Sequence, residues 1–152
     1  MDYILQLRQL IGHRPILMVG AAILVIDHTK RLLLMKRADN NCWGPPGGST
    51  EPGERVEEAA KRETLEETGL QIDEMKLFGV FSGPELFYVY PNGDEVYNVT
   101  IVYLAELAAE DPPIILDQEH TAWGWFASPA IPADISPPMK PSIDQFKHLF
   151  PY

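Results

Sequence analysis

Residues 48–70 read GSTEPGERVEEAAKRETLEETGL. From Glu54 to Thr68 this stretch is rich in Glu, Ala, Lys, Arg and Leu, holds no Pro or Gly, and is followed by Gly69. That composition predicts a helix over 54–68 that ends on the glycine. At about 100° per residue, Val56, Ala59, Ala60, Glu63, Glu66, Glu67 and Leu70 share one face. A helix that only packs on a sheet would keep that stripe apolar, whereas here it runs from Val56, Ala59 and Ala60 into three carboxylates. Acids crowded at the edge of a core repel one another and lose hydration, which raises their pKa values unless a cation compensates. Oxygen donors at i, i+3 and i+4, from Glu63, Glu66 and Glu67, suit a hard ion, Mg²⁺ or Mn²⁺, better than zinc, which favours His or Cys. On spacing alone, a solvated acidic face is the competing reading, and Glu57 and Glu58, which point elsewhere, fit it. His13, His28, His120 and His148 include no pair at zinc spacing.

Upstream, Ile4, Leu5, Leu7, Leu10 and Ile11 fall near helical spacing and predict a short helical arm within residues 1–12, for packing or dimer formation rather than catalysis. Two β-rich runs follow, ILMVGAAILVI from Ile16 and RLLLMKR from Arg31, joined by the polar Asp27-His28-Thr29-Lys30 as a hairpin of buried strands. Residues 38–52 break regularity with Asn40-Asn41, Pro45-Pro46 and Gly47-Gly48 and read as a long shaped loop. Downstream, strands are expected over 76–81, 85–90, 95–107 and 122–126, with Pro91-Asn92-Gly93-Asp94 as a hairpin turn. The Pro-rich residues 132–141 form a loop, and a last helix covers 143–150. Strands on both sides of a central helix, with a second helix late, make an α/β fold in which helices cover a mixed sheet.

The chain as a whole sets outer bounds. Its 152 residues, 45% hydrophobic, match one domain, 1–152, with a proper core. A net charge of −10 opposes a nucleic-acid groove or an anionic membrane surface. The longest apolar run, residues 15–26, is shorter than the roughly 20 residues a membrane helix needs and follows no cleavable leader. Cys42 is the only cysteine, so no intrachain disulfide can form; a half-buried loop thiol in a soluble, cytoplasmic protein is expected.

Residues 48–70 also resemble the signature of a known family. From Gly48, five residues lead to Glu54, seven more to Arg62-Glu63, and Thr64-Leu65-Glu66-Glu67-Thr68-Gly69-Leu70 completes what is similar to the Nudix box. Every charged and glycine position of that signature is present. Thr64 departs from it, standing where the family usually has a bulky aliphatic residue for packing. The approach Trp43-Gly44-Pro45-Pro46-Gly47-Gly48 and the order of strands extend the resemblance over most of the chain.

The resemblance implies a Nudix-type α/β/α sandwich with a central mixed β-sheet. It also implies a Mg²⁺-dependent hydrolase, with Mn²⁺ as a substitute, that cleaves a phosphoanhydride bond in a nucleoside diphosphate linked to another group. A nucleoside triphosphate pyrophosphohydrolase, or a module that senses a nucleotide without cutting it, are the alternatives. Sensing modules commonly lose glutamates of the box, and this chain keeps them all. The metal ligands carried over are Glu63, Glu66 and Glu67, with the backbone carbonyl of Gly47 or Gly48 as a further donor. Arg62 would pair with a box carboxylate and hold the ligands in place, and Glu54 would cap the helix or support the metal site.

Catalytic candidates are Arg62 with Glu66, Glu67 or Glu119 as general base. Glu119 enters because related Nudix sequences often carry a Glu-His pair shortly before a Trp-containing strand, as Glu119-His120 precedes Trp123. His120 reads as a hydrogen-bonding residue. Arg37, Trp43, Gly47 and Gly48 are the expected substrate-binding residues, Trp43 also being a candidate to pack its loop. Among Phe81, Phe87, Tyr88, Tyr90 and Tyr97, most are expected in the core or on a sheet face. Pro84 and Tyr88 lie near, without matching, spacings typical of ADP-ribose and diadenosine polyphosphate hydrolases. The partner expected is a small nucleotide, with no nucleic acid or membrane, and a homodimer follows by family analogy.

Overall fold

The structure, a computed structural model, describes residues 3–108 and 112–152; Met1 and Asp2 of the expected arm lie outside it. The chain runs through α1 (Tyr3–Ile11), β1 (Ile16–Ile26), β2 (Leu32–Arg37), β3 (Trp43–Gly44), β4 (Gly47–Ser49), α2 (Val56–Thr68), β5 (Lys76–Phe81), β6 (Phe87–Val89), β7 (Glu95–Glu106), β8 (His120–Phe126) and α3 (Lys140–Leu149). One sheet orders as β3-β2-β1-β7-β5, with β4 on β1, β6 on β7 and β8 on β2. The β1–β7 pair is parallel along the whole of β1 and the other ladders are antiparallel, so the sheet is mixed.

Alternation along the central strands builds the two cores. Ala21, Ile23 and Val25 of β1 join Tyr103 and Ala105 of β7 beneath Ala59 and Ala60 of α2. Leu24 and Ile26, with Leu32, Leu34, Val102 and Leu104, face Ile143 and Phe146 of α3 on the other side. The fold is therefore an α/β/α sandwich around a mixed sheet.

Several expected elements differ in extent. The 27–30 turn forms, with Asp27 accepting hydrogen bonds from Thr29 N (3.0 Å), Arg31 N (2.9 Å) and Arg31 Nε (2.8 Å). Yet β1 and β2 pair only at Ile26↔Leu32 and then splay apart. The bared edge of β1 at Gly20, Ala21 and Ala22 takes β4 instead, so two short strands, β3 and β4, lie inside the expected 38–52 loop. Only the second half of β1 is buried. Helix α2 starts at Val56, because Glu54 turns back to its own loop. Residues 84–86 form a short 3₁₀ turn, which shortens the strand expected over 85–90 to β6. β8 starts at His120 rather than at 122. Pro141 suits the first turn of a helix, where its missing N–H has no partner to lose, and α3 accordingly starts at Lys140 inside the Pro-rich stretch.

None of the described residues of α1 is buried. The helix is held by Arg8, which donates to the carbonyls of Arg14 (2.6 Å), Gly12 (3.0 Å) and Glu95 (2.7 Å). His13 lies 2.7 Å from Asp94, so the 91–94 turn is docked on the amino-terminal segment.

Candidate active site

Where β1 and β2 diverge, a cleft of about 450 Å³ opens, floored by Met18, Gly20, Asn98 and Thr100 and walled by β4 and the carboxylates of α2. Its size falls within the range of small-molecule sites. Only a thin strand can fill the gap between β1 and α2. A β-carbon at Gly47 would lie 2.7 Å from Ala21 O, and one at Gly48 would lie 2.7 Å from both carboxylate oxygens of Glu63. The two glycines let the backbone run directly beneath the acids.

The three glutamates occupy three environments. Glu66 is exposed, its side chain 57% accessible; Glu63 retains 18% and Glu67 only 6%. Burial, opposed by Arg62, raises the pKa of Glu63. Burial raises Glu67 to about 9, assisted by the charges of Glu63, Asp117 and Glu119 and opposed by a hydrogen bond that its Oε1 accepts from Gly47 N at 2.8 Å. Glu67 is thus a buried acid; its carboxylate, that of Asp117 and a ring nitrogen of His120 lie within 4.8 Å of one another, close enough to hold a metal ion, and Glu63 and Glu66 line the same cleft with the oxygen donors that hard divalent ions favour.

Arg62 organises the helix start. Its Nε and Nη2 donate to both oxygens of Glu54 (2.7 and 3.0 Å), Nη1 donates to Glu63 (2.9 Å), and Nη2 reaches Ser49 O (3.2 Å). Glu54, whose pKa is lowered chiefly by Arg62, also accepts the N–H of Glu51 at 3.1 Å. It makes no side-chain cap on α2, so the capping alternative falls away in favour of this loop clasp. Thr64 is fully buried, and its hydroxyl is satisfied by Ala60 O at 2.8 Å, which explains why a polar residue is tolerated at a packing position.

Glu119 lines the cleft with Asp117 and His120. His120 is a hydrogen-bonding residue: its Nδ1 lies 2.6 Å from Asp117 Oδ1, while Nε2 faces Glu67 Oε2 at 3.7 Å. Asp117 was not singled out in the sequence. Its i, i+3 spacing to His120 was the available signal, but only the turn before β8 brings both against α2.

Arg37 lies in the cleft wall, its guanidinium clasped by both oxygens of Asp39 at 2.9 and 2.8 Å. Trp43 corrects the substrate-binding expectation: it does not line the cleft. The register of β3 turns its ring into the core, edge-on to Phe126 at 5.2 Å. Phe81 likewise packs in the core with Phe78, and Phe87 against Tyr97. Tyr88 and Tyr90 are the aromatics on the cleft, packed edge to face at 4.8 Å, with Asn40 Nδ2 donating to the Tyr88 hydroxyl at 3.0 Å.

Comparison with known proteins places this architecture. A family model described as NUDIX domain matches residues 16–146. The chain is 44% identical over 66 residues to a putative 8-oxo-dGTP diphosphatase of Bacillus subtilis, a match spanning 43% of this chain and 44% of that protein. It is 38% identical over 102 residues to the asymmetrical bis(5'-nucleosyl)-tetraphosphatase of Rattus norvegicus, spanning 66% of this chain and 67% of the relative. The matched stretch is thus under half of the first relative and about two thirds of the second. Among solved structures, a MutT NUDIX hydrolase from Burkholderia pseudomallei is similar with a TM-score of 0.69 at 30% identity, covering 87% of this chain and 98% of that one. A MutT protein from Methanosarcina mazei Go1 shares the fold with a TM-score of 0.70 at 20% identity, covering 88% and 94%.

Proposed function

The chain belongs to the Nudix family, and on that premise we propose that it is a Mg²⁺-dependent pyrophosphohydrolase, with Mn²⁺ able to substitute, acting on a nucleoside diphosphate linked to another group. The observation that carries this reading is the buried carboxylate of Glu67, held beside Glu63 and Glu66 in the wall of a nucleotide-sized cleft. Glu63, Glu66, Glu67 and the Gly48 carbonyl would hold the cation. A bound divalent ion supplies charge neutralisation for the phosphates and a more acidic water. It also explains how a chain of net charge −10 binds an anion.

The residues of the chain divide the remaining work. Arg62 keeps Glu63 aligned through the Glu54 clasp and does not touch substrate. Arg37 offers a cation to phosphate, and Gly47 and Gly48 let phosphate oxygens approach the backbone. Glu119 is our choice of general base over Glu66 and Glu67. Glu67 has an oxygen engaged by Gly47, Glu66 has one facing Arg62 at 3.5 Å, and the Glu119 carboxylate accepts no hydrogen bond among the described residues. Tyr88 and Tyr90, rather than Trp43, are positioned to meet a base.

A nucleoside triphosphate is the second reading, favoured by the identity to the putative 8-oxo-dGTP diphosphatase. The relative named as a dinucleoside tetraphosphatase, with a match spanning 66% of this chain, supports the first. Retention of all the box glutamates speaks against a sensing module. A panel of nucleoside triphosphates, nucleotide sugars, ADP-ribose and dinucleoside polyphosphates with Mg²⁺ or Mn²⁺, with both products identified, tests the assignment. Glu66→Gln and Glu67→Gln are expected to slow the best substrate about 100-fold or more; undiminished turnover would remove the helix from the mechanism.

We also propose the homodimer. Leu17, Val19, Leu77, Val80 and Tyr97 are exposed and share the α2-bearing sheet face beyond the helix, and a second copy would cover this apolar surface. Light scattering is expected to give twice the chain mass for the native protein and one chain mass for Leu17→Glu; a monomeric native protein would refute it. Among the described residues no helix is long and apolar enough to cross a membrane, and a cytoplasmic location is part of the same proposal.

A further inference from the structure

Helix α1 has no buried residue among those described, yet both of its ends are tied to segments that form the cleft. At its start, Tyr3 N donates to Glu51 Oε2 at 3.3 Å; Glu51 lines the cleft and its own N–H is held by Glu54 at 3.1 Å. Toward its end stands Arg8, whose side chain is only 9% exposed. Nη1 of Arg8 donates to the carbonyls of Gly12 and Arg14, and Nη2 donates to that of Glu95 at 2.7 Å. Its Nε is buried without a hydrogen bond and faces Asp94 Oδ2 at 3.5 Å. A guanidinium taken out of water is costly unless carbonyls and a carboxylate replace its hydration. Here the replacements come from residues 12–14 and 94–95, so Arg8 fixes the place where the arm crosses the 91–94 hairpin.

That hairpin carries the aromatic wall of the cleft. β6 pairs with β7 only at Phe87↔Tyr97, Tyr88↔Val96 and Val89↔Glu95, and so short a ribbon does little by itself to fix its side chains. The turn is closed by Tyr90 N donating to Asp94 O at 2.8 Å, and it is docked on the arm by Glu95 N donating to His13 O at 3.3 Å and by His13 Nδ1, 2.7 Å from Asp94 Oδ1. Arg8 therefore grips β7 at the residue paired with Val89, next to the partner of Tyr88. We propose that Arg8 is a positioning residue for substrate specificity: by locking the hairpin to the amino-terminal arm, it holds Tyr88 and Tyr90 where they meet the base of the nucleotide. Tyr88 and Tyr90 brace each other edge to face, so a shift of the turn reaches both rings. Arg8 itself does not line the cleft. Its loss should act on recognition of the base and spare the chemical step. This inference rests on the reading of the chain as a nucleotide hydrolase.

The test is steady-state kinetics of the full chain with Mg²⁺ on nucleoside triphosphates, ADP-ribose and dinucleoside polyphosphates. Inorganic tripolyphosphate, which has phosphoanhydride bonds but no base, serves as a competing inhibitor. For each nucleotide that turns over, Arg8→Ala should raise KM about tenfold, while kcat and the inhibition constant of tripolyphosphate change by less than about twofold. Arg8→Lys should not restore KM, because a single ammonium cannot reproduce the planar fork that reaches all three carbonyls. In a Tyr88→Ala background, Arg8→Ala should add less than about twofold to KM, since a group it positions is already gone. His13→Ala removes an exposed contact to Asp94 and should raise KM about twofold or more, which keeps the test open even where Arg8→Ala does not fold. An unchanged KM in folded Arg8→Ala, or a rise matched by equal weakening of tripolyphosphate, would overturn the positioning role and leave the hydrolase reading intact. No turnover of any of these nucleotides by the native chain would overturn both.

Discussion

Glu67 concentrates the chemistry at the scale of a single residue, and its protonation makes a testable link between site and stability. Its pKa in the metal-free fold is about 9, against an ordinary 4.5. Between those values the folded chain keeps a proton that the unfolded chain has lost, so this contribution to stability is complete below about pH 4.5 and is lost as the pH rises to about 9. Unfolding free energies from urea titrations in EDTA should therefore fall from pH 5 to 9, by at most about 1.4 kcal/mol per pH unit. Glu67→Gln should flatten that slope; parallel profiles for the native chain and the variant would refute the assignment. At this scale the shared face of the three glutamates was legible, because helical periodicity alone sets it, whereas Arg62 was reached only through the resemblance to the Nudix box. Trp43 was misplaced because a tryptophan beside Gly44-Pro45 reads equally as a platform or a plug, and only the β3 register, which no local pattern encodes, decides. Asp117 was missed for a related reason: it acts through His120, across a turn.

The α2 unit shows how an element is made into a site. Its glycine end was legible from composition, and Gly69 adopts φ 77° there, the left-handed conformation that glycine accepts readily. Its start was not, since Glu54 reads as a helix residue until Arg62 draws its carboxylate back toward residues 49–51. Arg62 joins that loop to the helix by three hydrogen bonds, two to Glu54 and one to Ser49, and makes a fourth to Glu63 on its own helix. Arg62→Ala should lower stability by about 1 to 3 kcal/mol, leaving Glu54 unpaired, which corresponds to a fall in Tm of roughly 2–12 °C. It should also raise the metal concentration needed for half-maximal activity, because Glu63 loses its alignment. A thermal melt and a Mg²⁺ titration read both effects, and a variant unchanged in the two would deny Arg62 its organising part. The short strands β3 and β4 escaped notice because Gly-Pro-rich sequence has low strand propensity; they pair only because β1 bares an edge.

At the scale of the whole molecule, one departure from regular pairing creates the cleft. β1 and β2 meet at Ile26↔Leu32 and separate, β4 enters against Gly20, Ala21 and Ala22, and the carboxylates of α2 arrive over glycines. The two-layer cover of a mixed sheet was legible from the order of strands and helices. The splay was not, since it follows from long-range competition for the edge of β1 rather than from its residues. The central claim is that this opening is a metal site for phosphoanhydride cleavage. Anomalous diffraction from crystals grown with Mn²⁺ and a non-hydrolysable nucleotide tests it most directly. The account predicts peaks among Glu63, Glu66, Glu67 and the Gly48 carbonyl, in contact with the phosphates; a nucleotide bound elsewhere, with those side chains turned to solvent and no anomalous density between them, would contradict it.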